Sequence, residues 1–139
     1  SIEAIRLKPV IGFLGFEPNE DVVVGGVALP RGTRNFCLFR PPAVDSKHFN
    51  DAERYDPERW TRGRGEDAGA HEPRAFLQFG TGPRVCPGRH LATVEMRLVL
   101  SMLLKHFEIE LACAPDEIEE VSALTITPSR MPVRLRARG

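Results

Sequence analysis

The sequence is short of three things, and each shortage excludes a class. Only three cysteines occur in 139 residues, at positions 37, 86 and 113, too few and too scattered for a disulfide scaffold. No run approaches the roughly 18 apolar residues of a membrane-crossing helix, and no basic-then-apolar leader opens the chain. There is no surplus of either charge: 19 Lys and Arg face 19 Asp and Glu, and the pI is near 6.9. A chain without net charge has no broad attraction to nucleic acid or to an anionic membrane, so no nucleic-acid partner is expected. Lysine is scarce as well, three against sixteen arginines, which hints at a GC-rich bacterial gene. The expected setting is cytoplasmic. A membrane anchor upstream of Ser1 stays open.

What is present is 42% hydrophobic and 27% charged, with twelve glycines and twelve prolines. The length suits one domain with a core. That much Gly and Pro argues for many turns and a mixed α+β chain, not a helical bundle. Ser1 to Leu7 reads as helix from its first residue, and Pro9 stops it. So short a helix is not stable alone, so it leans on something else or belongs to a larger element. Val22–Val24 and Val27–Leu29 flank Gly25-Gly26 and read as a hairpin. Asn35 to Phe39 is a third strand, ended by Pro41-Pro42. Residues 45–60 should be irregular with brief helical turns, and 61–74 an exposed loop. Leu91 to Phe107 is the one long helix, with Leu91, Val94, Leu98 and Met102 at helical spacing and an apolar stripe broad enough for burial on more than one side. Residues 116–120 form an acidic, solvated connector. Leu124–Thr127 and Val133–Arg136 alternate around Pro128 and suggest a closing β-hairpin.

The chemistry gathers in Phe79-Gly80-Thr81-Gly82-Pro83-Arg84-Val85-Cys86-Pro87-Gly88-Arg89-His90. A cysteine just before a long helix meets free amides and the positive helix end, which favour an anionic sulfur. Gly80, Gly82 and Gly88 permit close backbone approach to a flat object, and Arg84 can pair with a carboxylate. Thiolate, arginine and a glycine surface together fit haem, with sulfur on the iron and Arg84 on a propionate. Zinc on Cys86 and His90 would need about four ligands. A nucleophilic Cys86 would need a base and an orienting partner, and neither has a defined position here. A free structural cysteine is the remaining reading. Cys37 and Cys113, in apolar surroundings, read as small buried hydrophobes.

The pattern Phe79-x-x-Gly82-x-Arg84-x-Cys86-x-Gly88 resembles the haem-binding signature of the cytochrome P450 family. Glu3-Ala4-Ile5-Arg6 is similar to that family's Glu-x-x-Arg on its K helix. Tyr55-Asp56-Pro57-Glu58-Arg59-Trp60 resembles its arginine-before-aromatic segment, with Trp where Phe is more usual. The resemblance implies a C-terminal fragment of the P450 fold over residues 1–139. Its parts are K helix, small β-sheet, irregular meander, cysteine loop, long L helix and C-terminal β-hairpin. It implies haem b, with Cys86 as axial ligand, Arg84 on a propionate and Phe79 beside the sulfur. It further implies a buried triad of Glu3, Arg6 and Arg59 that locks the meander and holds the cysteine loop. One departure is that residues 12–18 carry no Arg or His for a second propionate. Phe13 and Leu14 there line either the substrate end of the pocket or plain core.

The implied activity of the parent enzyme is insertion of one oxygen atom from dioxygen into a small organic substrate. Electrons would come from a ferredoxin, a flavodoxin or a reductase docking on the Cys86 side near Arg89. The family's distal oxygen-activating helix precedes the K helix and has no counterpart here, so this chain by itself is expected to be inactive. A haem-thiolate peroxygenase or isomerase, and a non-catalytic haem-binding or structural fragment, are the alternatives. Apolar surface left open where absent helices would pack makes self-association an expectation.

Overall fold

The computed structural model describes residues 2–61, 71–123 and 125–139. Helix α1 (Ile2–Leu7) leads into strand β1 (Phe13–Phe16), the hairpin β2 (Val22–Val24) and β3 (Val27–Leu29), and β4 (Asn35–Leu38). A one-turn helix α2 (Arg40–Ala43) follows, with Pro41-Pro42 in its first turn, where missing amide hydrogens cost nothing. Irregular chain with 3₁₀ turns at Pro57–Trp60, Pro73–Ala75 and Gly82–Arg84 then reaches the long helix α3 (Arg89–His106). Strands β5 (Phe107–Leu111), β6 (Glu120–Ser122), β7 (Ile126–Pro128) and β8 (Val133–Ala137) complete the chain.

Among the described residues the strands form four separate antiparallel pairs, β1–β4, β2–β3, β5–β8 and β6–β7. Gly25 and Gly26 take φ +57° and +83° at the β2–β3 turn, the left-handed pair that a tight two-residue hairpin requires. The third strand does not extend this hairpin. It pairs with β1, Phe13 opposite Leu38 and Phe16 opposite Asn35. The expected hairpin between 124–127 and 133–136 is not formed. β7 turns back on β6, while β8 reaches over to β5 and sets Arg136 opposite Glu108 and Arg134 opposite Glu110. Alternation and a central proline locate strands, but they do not choose partners. Here opposite charges on one face and Ile109, Leu111, Val133 and Leu135 on the other favour the longer-range pairing. Leu124 of the expected strand lies outside the described residues, as do residues 62–70 of the expected loop.

Buried apolar side chains are few. Among the described residues Phe39, Ala43, Phe49, Ala52 and Ala75 are enclosed, with Trp60 and Phe76 packed on the Phe49 cluster. Helix α3 has no buried residue, and Leu98 and Met102 are 65% and 61% exposed. Its broad stripe therefore stays open in this chain, against the expectation of burial on more than one side. Part of it faces a groove of about 360 Å³ between α1 and α3, lined by Ile2, Ile5, Trp60, Met96, Leu100 and Leu104. The accessible surface is 10881 Å², whereas a self-contained folded chain of 15.5 kDa has about 7,200 Å². Phe13 and Leu14 are likewise exposed, Phe13 meeting Phe36 edge to face at 5.3 Å. Cys37 and Cys113 are half-buried rather than enclosed, and all three cysteines are free. The acidic connector is tied down at several points: Glu120 takes hydrogen bonds from Lys8 and Arg40, and Glu117 accepts from Arg130 at 2.6 Å and from the Ala114 amide at 3.0 Å. Among the described residues no helix is long and apolar enough to cross a membrane.

Candidate functional site

Among the described residues three charged side chains are buried together. Glu3 and Arg6 are fully buried and Arg59 is nearly so. A spacing of three puts Glu3 and Arg6 on one face of α1, and two parallel bonds join them, Arg6 Nε to Glu3 Oε2 at 2.8 Å and Nη2 to Oε1 at 2.7 Å. Arg59 Nε donates to Glu3 Oε1 at 2.9 Å. The amide of Asp56 reaches the same oxygen at 3.1 Å, and the indole Nε1 of Trp60 reaches Oε2 at 2.8 Å. Five donors thus converge on one carboxylate. Burial by itself pushes its pKa up. Bonds from Arg6, then Trp60, the Asp56 amide and Arg59, more than offset that and bring it from 4.5 down to about 2.

The two guanidinium groups spend their remaining donors on backbone. Arg6 donates to the carbonyls of Ala43, Ala52 and Arg54, and its plane lies 5.0 Å from the Phe49 ring centre. Arg59 donates to the carbonyls of Asn50, Asp51 and Arg54. Residues 43–54 run without a regular ladder, so these carbonyls need other partners. The charges supply them and fix the path of the segment.

The cysteine loop sits beside this network. The Cys86 amide donates to the Phe79 carbonyl at 2.8 Å, and Gly80 and Val85 amides close smaller turns on Leu77 and Gly82. Gly80 and Gly82 take φ +69° and +65°, which is why the loop needs glycine there. A Cβ on Gly82 would meet no atom within 4 Å, so this side of the loop is open, while one on Gly88 would stand 3.8 Å from Cys86 Sγ. Cys86 is exposed at the approach to the N-terminus of α3, whose first turn carries no acidic residue. Arg84 is exposed and makes no hydrogen bond or ion pair among the described residues. Phe79 is half-buried, with Arg89 5.8 Å above its ring and Phe76 at 6.3 Å. Gln78 Nε2 reaches the Arg6 carbonyl at 3.4 Å and ties the loop to α1.

Glu3, Arg6 and Arg59 are therefore brought together, and so are Phe79, Gly80, Gly82, Arg84, Cys86 and Gly88. The network and the loop meet through residues 76–79. The indole bond from Trp60 and the Gln78 tether escape a reading by residue pattern. A partly buried indole N–H does seek an acceptor, so Trp beside Arg59 was the available signal for the first. Among the described residues no three or more His, Cys, Asp and Glu side chains gather as a metal cluster. A haem thiolate needs one protein ligand only.

The family model described as Cytochrome P450 matches residues 2–133. The chain belongs to the cytochrome P450 family. It is 35% identical over 134 residues to Cytochrome P450 714C2 of Oryza sativa subsp. japonica, covering 92% of this chain and 24% of that protein. It is 34% identical over 137 residues to the mitochondrial 25-hydroxyvitamin D-1 alpha hydroxylase of Mus musculus, covering 99% and 25%. The solved structure of retinoic acid-bound cyanobacterial CYP120A1 superposes with a TM-score of 0.84 at 27% identity, covering 99% of this chain and 31% of that one. The chain thus spans about a quarter of the length of these curated P450 relatives. P450 proteins form a superfamily of enzymes.

Proposed function

We propose that this chain is the haem-holding, C-terminal part of a haem-thiolate monooxygenase, with α1 as the K helix and α3 as the L helix. The observation that carries this reading is the loop itself. It offers an exposed sulfur at a helix approach, an open glycine face at Gly82 and an unengaged arginine two residues before the sulfur. These are the donor types that haem b needs: Cys86 for the iron, Arg84 for a propionate and the Gly80, Gly82 and Gly88 backbone against the ring. In this reading the Phe79 ring belongs beside the ligand sulfur, and its carbonyl holds the Cys86 amide in place.

When bound, haem supplies reductive activation of dioxygen, one atom entering the substrate and the other leaving as water. This chain's part is to fix the sulfur at the approach to α3 and present the Arg89 side to an electron donor such as a ferredoxin, flavodoxin or reductase. The mouse relative's name specifies a hydroxylase of 25-hydroxyvitamin D, and the cyanobacterial structure holds retinoic acid. Both support a small, largely apolar organic substrate. In this reading the Glu3 network is the foundation under the loop, and the 139 residues alone do not turn substrate over.

Haem titration followed by the reduced carbon monoxide spectrum tests the assignment. A thiolate-type Soret band that Cys86→Ala abolishes is the expected result. A histidine-type band, or no binding, overturns it.

A further inference from the structure

We propose that Trp60 is a positioning residue for the Cys86 loop, fastened to Glu3 by its indole N–H and coupled through Phe76 to Phe79, the residue that holds the Cys86 amide. Each link is a separate contact. Among the described residues, oxygen Oε2 of Glu3 takes bonds from Arg6 Nε and Trp60 Nε1 alone, both at 2.8 Å, so loss of the indole leaves this buried oxygen with one of those two partners. The Trp60 ring meets Phe76 edge to face, centres 5.4 Å apart at 71°. Phe76 meets Phe79 at 6.3 Å and 60°. The Phe79 carbonyl then accepts the Cys86 amide at 2.8 Å. Trp60 is also packed on the buried Phe49 cluster and lies 5.0 Å from the His71 ring, so its orientation is fixed from several sides.

Edge-to-face aromatic contacts carry geometric preference as well as burial, so tilting one ring disturbs the next. A phenylalanine at position 60 could fill the space and keep the Phe76 contact, but it has no donor for Glu3. Tryptophan is therefore a functional choice here, joining the ionic hub to the loop by a route independent of the Gln78 tether. The meaning of that position for catalysis rests on the proposed role of Cys86 as haem ligand; the coupling itself does not.

Spatial connection becomes coupling only if two perturbations interact. The test is hydrogen exchange of the Cys86 amide in the full chain without haem, comparing Trp60→Phe, Phe76→Leu and the double variant. Trp60→Phe removes the donor and keeps a ring, and Phe76→Leu keeps the donor and removes the ring contact. Each single change should lower Cys86 protection about tenfold, equivalent to about 1.4 kcal/mol, with the double variant no worse than the larger single. Amides of the β5–β8 ribbon should be unaffected. A change at Cys86 below about twofold, the scatter of unrelated sites, overturns the proposal. So do an equal loss of protection in the β5–β8 ribbon, which marks a merely structural role, and effects that multiply in the double variant. In the haem-loaded chain both single variants should lower the thiolate-type share of the reduced carbon monoxide complex, and an unchanged share also overturns it. Because the exchange measurement needs no haem, it decides on Trp60 even where the Cys86→Ala titration refutes haem ligation.

Discussion

Replacing Glu3 by glutamine removes one charge and almost no volume, and the structure says what that costs. The carboxylate is fully buried and takes five hydrogen bonds, three of them from the guanidinium groups of Arg6 and Arg59. Glutamine leaves both cations without a counter-charge and turns its own NH₂ group toward other donors. Breaking a buried pair in this way costs about 3–5 kcal/mol, against a total stability of about 5–15 kcal/mol for an ordinary domain. A second estimate comes from protonation. The carboxyl is held at about 2 in place of 4.5, which at 1.36 kcal/mol per pKa unit amounts to about 3 kcal/mol. Because the folded pKa is the lower one, this stability is complete above about 4.5 and is lost as pH falls through about 2. Urea unfolding followed by circular dichroism, run on both proteins from pH 7 to pH 2, separates Glu3 from every other carboxylate, since those titrate alike in the two chains. The wild-type advantage should be about 3–5 kcal/mol at neutral pH and should shrink by about 3 kcal/mol on reaching pH 2. An advantage that stays constant within about 0.5 kcal/mol across that range refutes the reasoning, because the stabilisation then does not come from the ionised carboxylate.

Two further changes test the loop and the open helix face. Gly82→Ala meets no atom within 4 Å but must hold φ +65°, so it should cost about 1–2 kcal/mol from backbone strain alone, read as a lower thermal midpoint; an unchanged midpoint means that this φ is not required. Leu98→Glu with Met102→Glu places charge on side chains that are 65% and 61% exposed. Sedimentation velocity should show the wild-type chain associating as concentration rises and the variant shifted towards monomer, while a wild-type chain that is monomeric throughout refutes an adhesive α3 face.

Short-range chemistry was legible in the residues, and long-range pairing was not. Gly25-Gly26 declares its hairpin because a two-residue turn with positive φ has few other solutions. The spacing of Leu91, Val94, Leu98 and Met102 declares α3, though it says nothing about what covers the stripe. Strand partners fall outside that kind of evidence: Val133–Ala137 alternates equally well against Ile126–Pro128 or against Phe107–Leu111, and only the opposed charges of the latter separate the two. The ionic network lies between these cases. Glu3 and Arg6 announce a shared helix face, but nothing local shows that their partners are carbonyls of residues 43–54. That segment has no strand or long helix to satisfy its backbone, so two guanidinium groups do for it what a ladder does elsewhere, and one carboxylate makes their burial tolerable. Trp60 completes the arrangement by giving the same carboxylate a bond and the neighbouring rings a fixed wall. The stability of the meander and the position of Cys86 therefore depend on a common element, and a substitution at Glu3 should disturb both, although no atom of Glu3 is hydrogen-bonded to the loop.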